Sequence, residues 1–471
     1  MLVARSQTIF HTHIHKSYYL DVDHMNQTFA PKVDFFDVVQ SISKALDYAF
    51  PHIVSHHVRV AYASLRISRY LRYDRQAEAN CLIAGMLHDI GVLYEGHSGE
   101  DAQIDTGDDC HARIGYHLLK EDAIFGAYAP IIRDHHSFQA GVTLTEHIPI
   151  EAQIINLADM IDPLISDDLD MVEQRAVVKN KLEALLAEGF PPYMIRAYKR
   201  LILQDDFWLD LRASDLPVIL KQQVKRFEIE FNAGLLVAYA QLMAHLVDFK
   251  SRFTSTHSSG VAATAEYVAR IIGFSEVECI EIQAAGLLHD VGKIAIPNTI
   301  LEKADKLTAE EFERVKAHAY YTNKILDVIQ GIDRIKTFCA YHHEKLNACG
   351  YPYSIPGAQI PLIGRIISVA DIFTALTEDR PYRKGMDEAS VRSIFCDMVE
   401  RGELDNRVTR VLMENYPAIN HYREMAQQQA REGYTAFINR IQENQLGPTG
   451  MDRIPARLMS DTEAKPTVWE M

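Results

Sequence analysis

An internal repeat of histidine and aspartate constrains this chain more than any other feature. His56 precedes His88-Asp89 by 32 residues, and His257 precedes His289-Asp290 by the same 32. From His111 to His135 is 24 residues, and from His318 to His342 is again 24. Each half then carries a His-His pair, His135-His136 and His342-His343, and closes on Ala-Asp, at Ala158-Asp159 and Ala370-Asp371. The chain has only two His-Asp dipeptides, and each falls at the same point of the repeat. Two copies of one domain, each with its own cluster, are therefore expected.

A lone His-Asp dipeptide is most often a hydrogen-bonded core pair. Seven ligand-type residues recurring in order are better explained as a site. Imidazole and carboxylate together suit Fe, Mn, Zn or Ni rather than Ca or Mg. Seven such groups exceed what one tetrahedral ion needs. Two ions about 3.5–4 Å apart, sharing a bridging carboxylate, would use them all and could clamp a phosphoryl group. Hydrolysis of a phosphate ester is the implied reaction, with developing negative charge stabilised by the ions.

Composition narrows the partners. A net charge of −16 argues against a nucleic-acid polymer, which needs a basic surface. It leaves room for a small anionic ligand in a local basic and metal-rich pocket. The six cysteines form no CxxC pair, which suits reduced thiols in the cytosol. No signal segment is visible. The longest apolar stretch, Phe231 to Val247, is broken by Asn232, Gln241 and His245, so a buried helix is expected there rather than a membrane span.

Most segments read as helix. Val391, Ile394, Phe395 and Met398 recur at helical spacing, and Thr308 with Glu311 and Ser275 with Glu278 look like capping boxes. No run of alternating strands is visible, and the fold is read as all-α. The expected divisions are an arm over 1–35, a first domain over 36–165, a helical connector or packing layer over 166–235, a second domain over 236–440 and a mobile tail over 441–471. Long helices such as the one ending near Asp248 could pair two copies into a homodimer.

The second half resembles the HD-GYP subgroup of the HD phosphohydrolase superfamily. The resemblance covers about Asp248 to Met386. It rests on LLHDVGKIAIP (Leu287 to Pro297), EKADKLTAEEF (Glu302 to Phe312), HHEKLNACGYP (His342 to Pro352) and RIISVADIFTALTEDRPYR (Arg365 to Arg383). It implies tandem HD-type helical bundles and hydrolysis of cyclic di-GMP or a related cyclic dinucleotide to a linear 5′-phosphorylated dinucleotide. A dinuclear centre, usually iron or manganese, would supply a metal-bridging hydroxide as nucleophile. One ion would be held by His257, His289, Asp290 and Asp371. The other would be held by His318, His342 and His343, with Asp290 as the bridge. Lys293 would face the scissile phosphate. Gly350, Tyr351 and Pro352 would present a tyrosine to the ligand from a tight turn, and Arg380 and Arg383 would grip phosphate or a guanine edge.

Two departures bear on substrate and metal count. Phe253 stands where some members carry a glutamate for a third metal, which favours two ions. Lys345, Leu346, Asn347, Ala348 and Cys349 replace the usual aromatic and acidic residues, so cyclic GMP-AMP is as open to this chain as cyclic di-GMP.

The first half resembles a plain HD domain whose metal set would be His56, His88, Asp89, His111, His135, His136 and Asp159. Val92 replaces the lysine, the Gly-Tyr-Pro segment is missing, and Asp168 takes the place of Arg380. Two readings stand for this half: a second phosphohydrolase removing the 5′-phosphate from the linear product, or a metal-binding structural or regulatory partner without turnover. For the whole chain the rivals are a mononucleotide phosphomonoesterase and a non-catalytic cyclic-dinucleotide receptor. Metal-linked redox sensing is a third and is compatible with catalysis.

Overall fold

Helices dominate because apolar residues recur at helical spacing, and several of their first turns are capped by a side chain. The computed structural model describes residues 32–94, 110–137, 148–166, 168–223, 228–230, 232–250, 256–303, 305–379 and 384–445. Both expected capping boxes form: Ser275 and Thr308 each accept from the backbone N–H of the glutamate three residues on, and Glu278 and Glu311 accept from the backbone N–H of the cap residue. Val391, Phe395 and Met398 are buried on one face of their helix.

The N-terminal half comprises α1 (Phe35–Ala49), α2 (His56–Tyr70), α3 (Arg75–Leu87), α4 (Cys110–Leu119), α5 (Ala129–Arg133) and α6 (Ile150–Ile161). After α7 (Met171–Ala187), α8 (Pro192–Leu201), α9 (Asp205–Leu211) and α10 (Leu216–Gln223), the pattern recurs. The C-terminal half runs through α11 (Ala233–Lys250), α12 (His257–Ile272), α13 (Glu276–Leu288), α14 (Asn298–Leu301), α15 (Ala309–Leu326), α16 (Asp333–Ala340) and α17 (Leu362–Thr377). Three helices complete it: α18 (Glu388–Glu400), α19 (Asn406–Glu414) and α20 (Tyr416–Gln445). No described helix is long and apolar enough to cross a membrane.

The two halves meet through their opening segments. Residues Lys32–Asp34 (β1) and Glu228–Glu230 (β2) pair antiparallel, with Val33 opposite Ile229. These three-residue strands were not legible in the sequence. Just inside them, α1 and α11 lie between the halves, and Ser41 Oγ and the Tyr239 hydroxyl are 2.7 Å apart. Helix α1 packs on the short 3-10 turn Val291–Ala295, next to Asp290, and α11 packs on both that turn and Ile90–Tyr94, next to Asp89. Each opening helix therefore touches both clusters' supporting turns.

The segment expected as a connector or packing layer packs on α2. Tyr62 stacks on Phe207 at 5.8 Å and donates to Asp210 at 2.5 Å. At the other end, α20 continues helically to Gln445, past the expected tail boundary at 441, because Phe437 and Ile441 are buried against Ile114 of the N-terminal half. Phe249 stacks on Phe437 at 5.1 Å in the same cluster. The rest of the expected tail, and the arm as far as residue 31, lie outside the described residues.

Candidate metal centres

Five of the candidate ligand histidines have their rings fixed by the backbone carbonyl three residues earlier. His289 follows the last residue of α13, and its Nδ1 donates to the carbonyl of Gly286 at 2.7 Å. His318 and His342 do the same to Val315 and Cys339, both at 2.6 Å. In the N-terminal half, His88 and His135 donate to Gly85 at 2.9 Å and to Ile132 at 2.6 Å. With Nδ1 protonated, the lone pair sits on Nε2, which is the atom turned inward.

Around Asp290 the C-terminal set converges. Its Oδ2 is 3.1 Å from His289 Nε2 and 4.0 Å from His257 Nε2. Its Oδ1 is 3.2 Å from His318 Nε2 and 3.9 Å from His342 Nε2. The two oxygens thus face different histidine pairs. Asp371 Oδ1 lies 3.0 Å from His257 Nε2 and 3.9 Å from His289 Nε2, and Asp371 Oδ2 lies 3.9 Å from His343 Nδ1. Among the described residues, His289 Nε2 is buried without a hydrogen-bond partner. A buried nitrogen left so is costly, and a cation among these donors would satisfy it.

The N-terminal half repeats the arrangement. Asp89 Oδ2 is 3.3 Å from His88 Nε2 and 3.6 Å from His56 Nε2, while Oδ1 is 3.3 Å from His111 Nε2 and 3.9 Å from His135 Nε2. Asp159 Oδ1 is 3.3 Å from His56 Nε2, and His136 Nε2 is 3.0 Å from His111 Nε2.

Protonation follows the surroundings. Burial, with His289 and His318 alongside, holds His342 down to about 3, so it is the neutral imidazole that a metal requires. For His257, burial opposes the charged form, but Glu378 and Asp371 outweigh it and lift the pKa to about 9. Burial alone would raise Asp290, yet His289 and Lys293 hold it well below the carboxylate range. Lys293 Nζ lies 2.6 Å from Asp290 Oδ2 and is therefore turned to the centre.

The Gly-Tyr-Pro turn sits at the rim. A Cβ on Gly350 would fall 2.5 Å from His343 O and 2.4 Å from Lys345 N, so only glycine lets the loop fold back on the His342-His343 pair. Tyr351 stacks obliquely on His343 at 4.6 Å. Arg380 and Arg383, like Phe253, lie outside the described residues.

Sequence reasoning missed four polar residues. Glu378 receives His257 Nδ1 at 3.2 Å and is held by Gln427 Nε2 at 3.1 Å. Asp162 plays that part for His56 at 2.7 Å, with Arg59 donating to it at 2.7 and 2.8 Å. Both follow the closing aspartate, by seven and three residues, at the C-terminal cap of its helix, and a carboxylate at that place was the available signal. Glu344 accepts from the backbone N–H groups of Tyr353, Ser354 and Ile355 at 2.7 to 3.2 Å and so shapes the turn. His57, fully buried beside His56, is the fourth.

Removing a carboxylate that orients a ligand histidine costs metal affinity. Glu378→Ala is expected to weaken metal binding at the C-terminal centre roughly 10- to 100-fold, read by equilibrium dialysis with Mn²⁺.

Comparison with known proteins gives a consistent picture. The HD domain family profile matches residues 53–164, and a second HD domain profile matches residues 241–408. The 3'3'-cGAMP-specific phosphodiesterase 1 of Vibrio cholerae is 29% identical over 392 residues, which cover 79% of this chain and 90% of that protein. The 3'3'-cGAMP-specific phosphodiesterase 3 of the same organism is 31% identical over 51% of this chain and 52% of its own length. A cyclic di-GMP phosphodiesterase of Thermotoga maritima is 35% identical over 36% of this chain and 47% of its own. A solved structure of a cyclic GMP-AMP specific phosphodiesterase from V. cholerae superposes with a TM-score of 0.58, covering 82% of this chain and 98% of that one; at 22% identity the likeness is one of fold.

Proposed function

The chain belongs to the HD superfamily, with one HD domain in each half and the second of HD-GYP type, and from that premise we propose that its C-terminal centre hydrolyses a 3′–5′ cyclic dinucleotide. The product is the linear 5′-phosphorylated dinucleotide. Cyclic GMP-AMP is the favoured ring, because the relative matched over 90% of its length bears that specificity in its name. Cyclic di-GMP, named for other relatives, is the alternative.

The observation that carries this reading is the division of Asp290 between two histidine pairs, with Lys293 beside it. The donor set of imidazoles and carboxylates suits Fe, Mn, Zn or Ni, and the resemblance to the HD-GYP subgroup points to iron, with manganese the alternative. When bound, a metal pair supplies an activated water and neutralises charge on the phosphate. His257, His289 and Asp371 would hold one ion, and His318, His342 and His343 the other, with Asp290 common to both. The Lys293 ammonium places a fixed positive charge where phosphate charge grows and the leaving oxygen departs. Tyr351 walls the site beside His343, where an aromatic face can meet a base. Arg380 and Arg383 are assigned to the phosphate or a guanine edge from the sequence.

The test is product analysis. Metal-loaded protein is incubated separately with cyclic GMP-AMP and cyclic di-GMP, and linear dinucleotide is followed by mass spectrometry. Linear product from either ring supports the reading, and the faster ring names the substrate. Survival of both rings with metals demonstrably bound overturns it and brings forward mononucleotide hydrolysis or a receptor role.

A further inference from the structure

The N-terminal centre contains a histidine that the repeat does not predict. His57 stands where the C-terminal half has the buried Ser258. Its Nδ1 lies 3.4 Å from Asp47 Oδ1, so the carboxylate keeps that nitrogen protonated and leaves the lone pair on Nε2. Nε2 is buried, has no hydrogen-bond partner among the described residues and sits 3.7 Å from Asp89 Oδ2. The Nε2 atoms of His88 and His56 lie 3.3 and 3.6 Å from that same oxygen. Three imidazole nitrogens therefore surround one carboxylate oxygen. A buried lone pair with no donor is destabilising unless a cation meets it.

We propose that His57 is a fifth protein ligand to the N-terminal ion that His56, His88, Asp89 and Asp159 would hold, with Asp47 as its positioning residue. The ligand class is a divalent transition ion such as Mn²⁺ or Fe²⁺. The corresponding C-terminal ion has four candidate protein ligands: His257, His289, Asp290 and Asp371. A six-coordinate ion keeps two open positions with four protein ligands and one with five. Catalytic centres keep positions open, while structural ones fill them. The N-terminal centre is thereby built to retain its ion and has less room for a phosphate oxygen. Val92, apolar where the other half has Lys293, removes a phosphate contact as well. This assigns the first half a metal-retaining structural or regulatory role rather than removal of the 5′-phosphate.

The test uses the full chain carrying Asp290→Ala, so that the N-terminal centre is read alone. Mn²⁺ is titrated while the free-ion signal is followed by electron paramagnetic resonance. Co²⁺ is loaded separately, and its visible absorption reports coordination number. Adding His57→Ser is expected to weaken one of two bound Mn²⁺ ions by about 10- to 100-fold and to strengthen the Co²⁺ absorption as coordination number falls. Asp47→Asn, which leaves the ring volume intact, is expected to weaken the same ion by less; it decides the matter if the serine variant is unfolded by circular dichroism. Unchanged Mn²⁺ affinity and Co²⁺ spectrum in a folded variant would overturn the proposal and make His57 a core histidine paired with Asp47. Because the C-terminal centre is disabled throughout, this outcome is independent of whether either cyclic ring is hydrolysed.

Discussion

Asp290→Ala is expected to lower cyclic-dinucleotide hydrolysis by about 10³-fold or more, equivalent to the several kcal/mol that a metal pair contributes to charge stabilisation. The size follows from position. Asp290 is buried, and its two oxygens serve both candidate ion positions at once. Alanine removes the shared ligand and also the partner that Lys293 meets at 2.6 Å. Metal content should fall together with activity, since four histidines facing an absent carboxylate lose the anion that compensates the ions' charge. Metal analysis beside a turnover assay on the same preparation checks this. Retention of both ions with full turnover would show that the centre is organised around another residue.

Gly292→Ala is expected to destabilise the C-terminal half by about 3 kcal/mol, the upper end for an overpacked site. A Cβ there would lie 2.0 Å from His318 O and 2.5 Å from Thr322 N. Both are backbone atoms, so no side chain can swing aside. The helix bearing His318 would have to move away from the turn bearing Asp290. Thr322 joins these elements, donating to His289 O at 3.0 Å and accepting from Gly292 N at 2.9 Å. Any shift therefore separates Asp290 from His318 and weakens metal binding as well as folding. Gly91 stands equally close to His111 O, at 2.1 Å, and predicts the same outcome for the N-terminal half. Gly273 provides the contrast. Among the described residues nothing lies within 4 Å of a Cβ there, and its φ is +102°, so alanine strains only the backbone and should cost about 1 kcal/mol. Thermal unfolding of the three variants checks the order, and a Gly292→Ala midpoint no lower than that of Gly273→Ala would refute the packing argument.

What the sequence by itself determined was local or repeated. Two equal intervals, 32 residues at His56–His88 and His257–His289 and 24 residues at His111–His135 and His318–His342, announced two clusters, and the structure gathers each around one aspartate. Helix starts at Ser275 and Thr308 were legible because a capping box is complete within four residues. The Gly-Tyr-Pro turn was legible for a similar reason, although its dependence on Glu344 was not.

The tertiary structure alone decided what lies between distant residues. His257 meets Glu378 across 121 positions, and Gln427 reaches Glu378 from α20 across another 49. The place of Glu378 seven residues after Asp371 was legible, but nothing in the sequence names His257 or Gln427 as its partners, because those hydrogen bonds exist only once α12, α17 and α20 have packed. The pairing of Lys32–Asp34 with Glu228–Glu230 is of the same kind: three residues carry too little pattern to read as a strand until a partner edge satisfies their backbone. His57 shows the difference most sharply. Its place beside His56 was plain in the sequence. That its second nitrogen is buried toward Asp89 without a donor among the described residues follows only from how α1, α2 and α3 enclose it, since burial is a property of the packed helices and not of the residue.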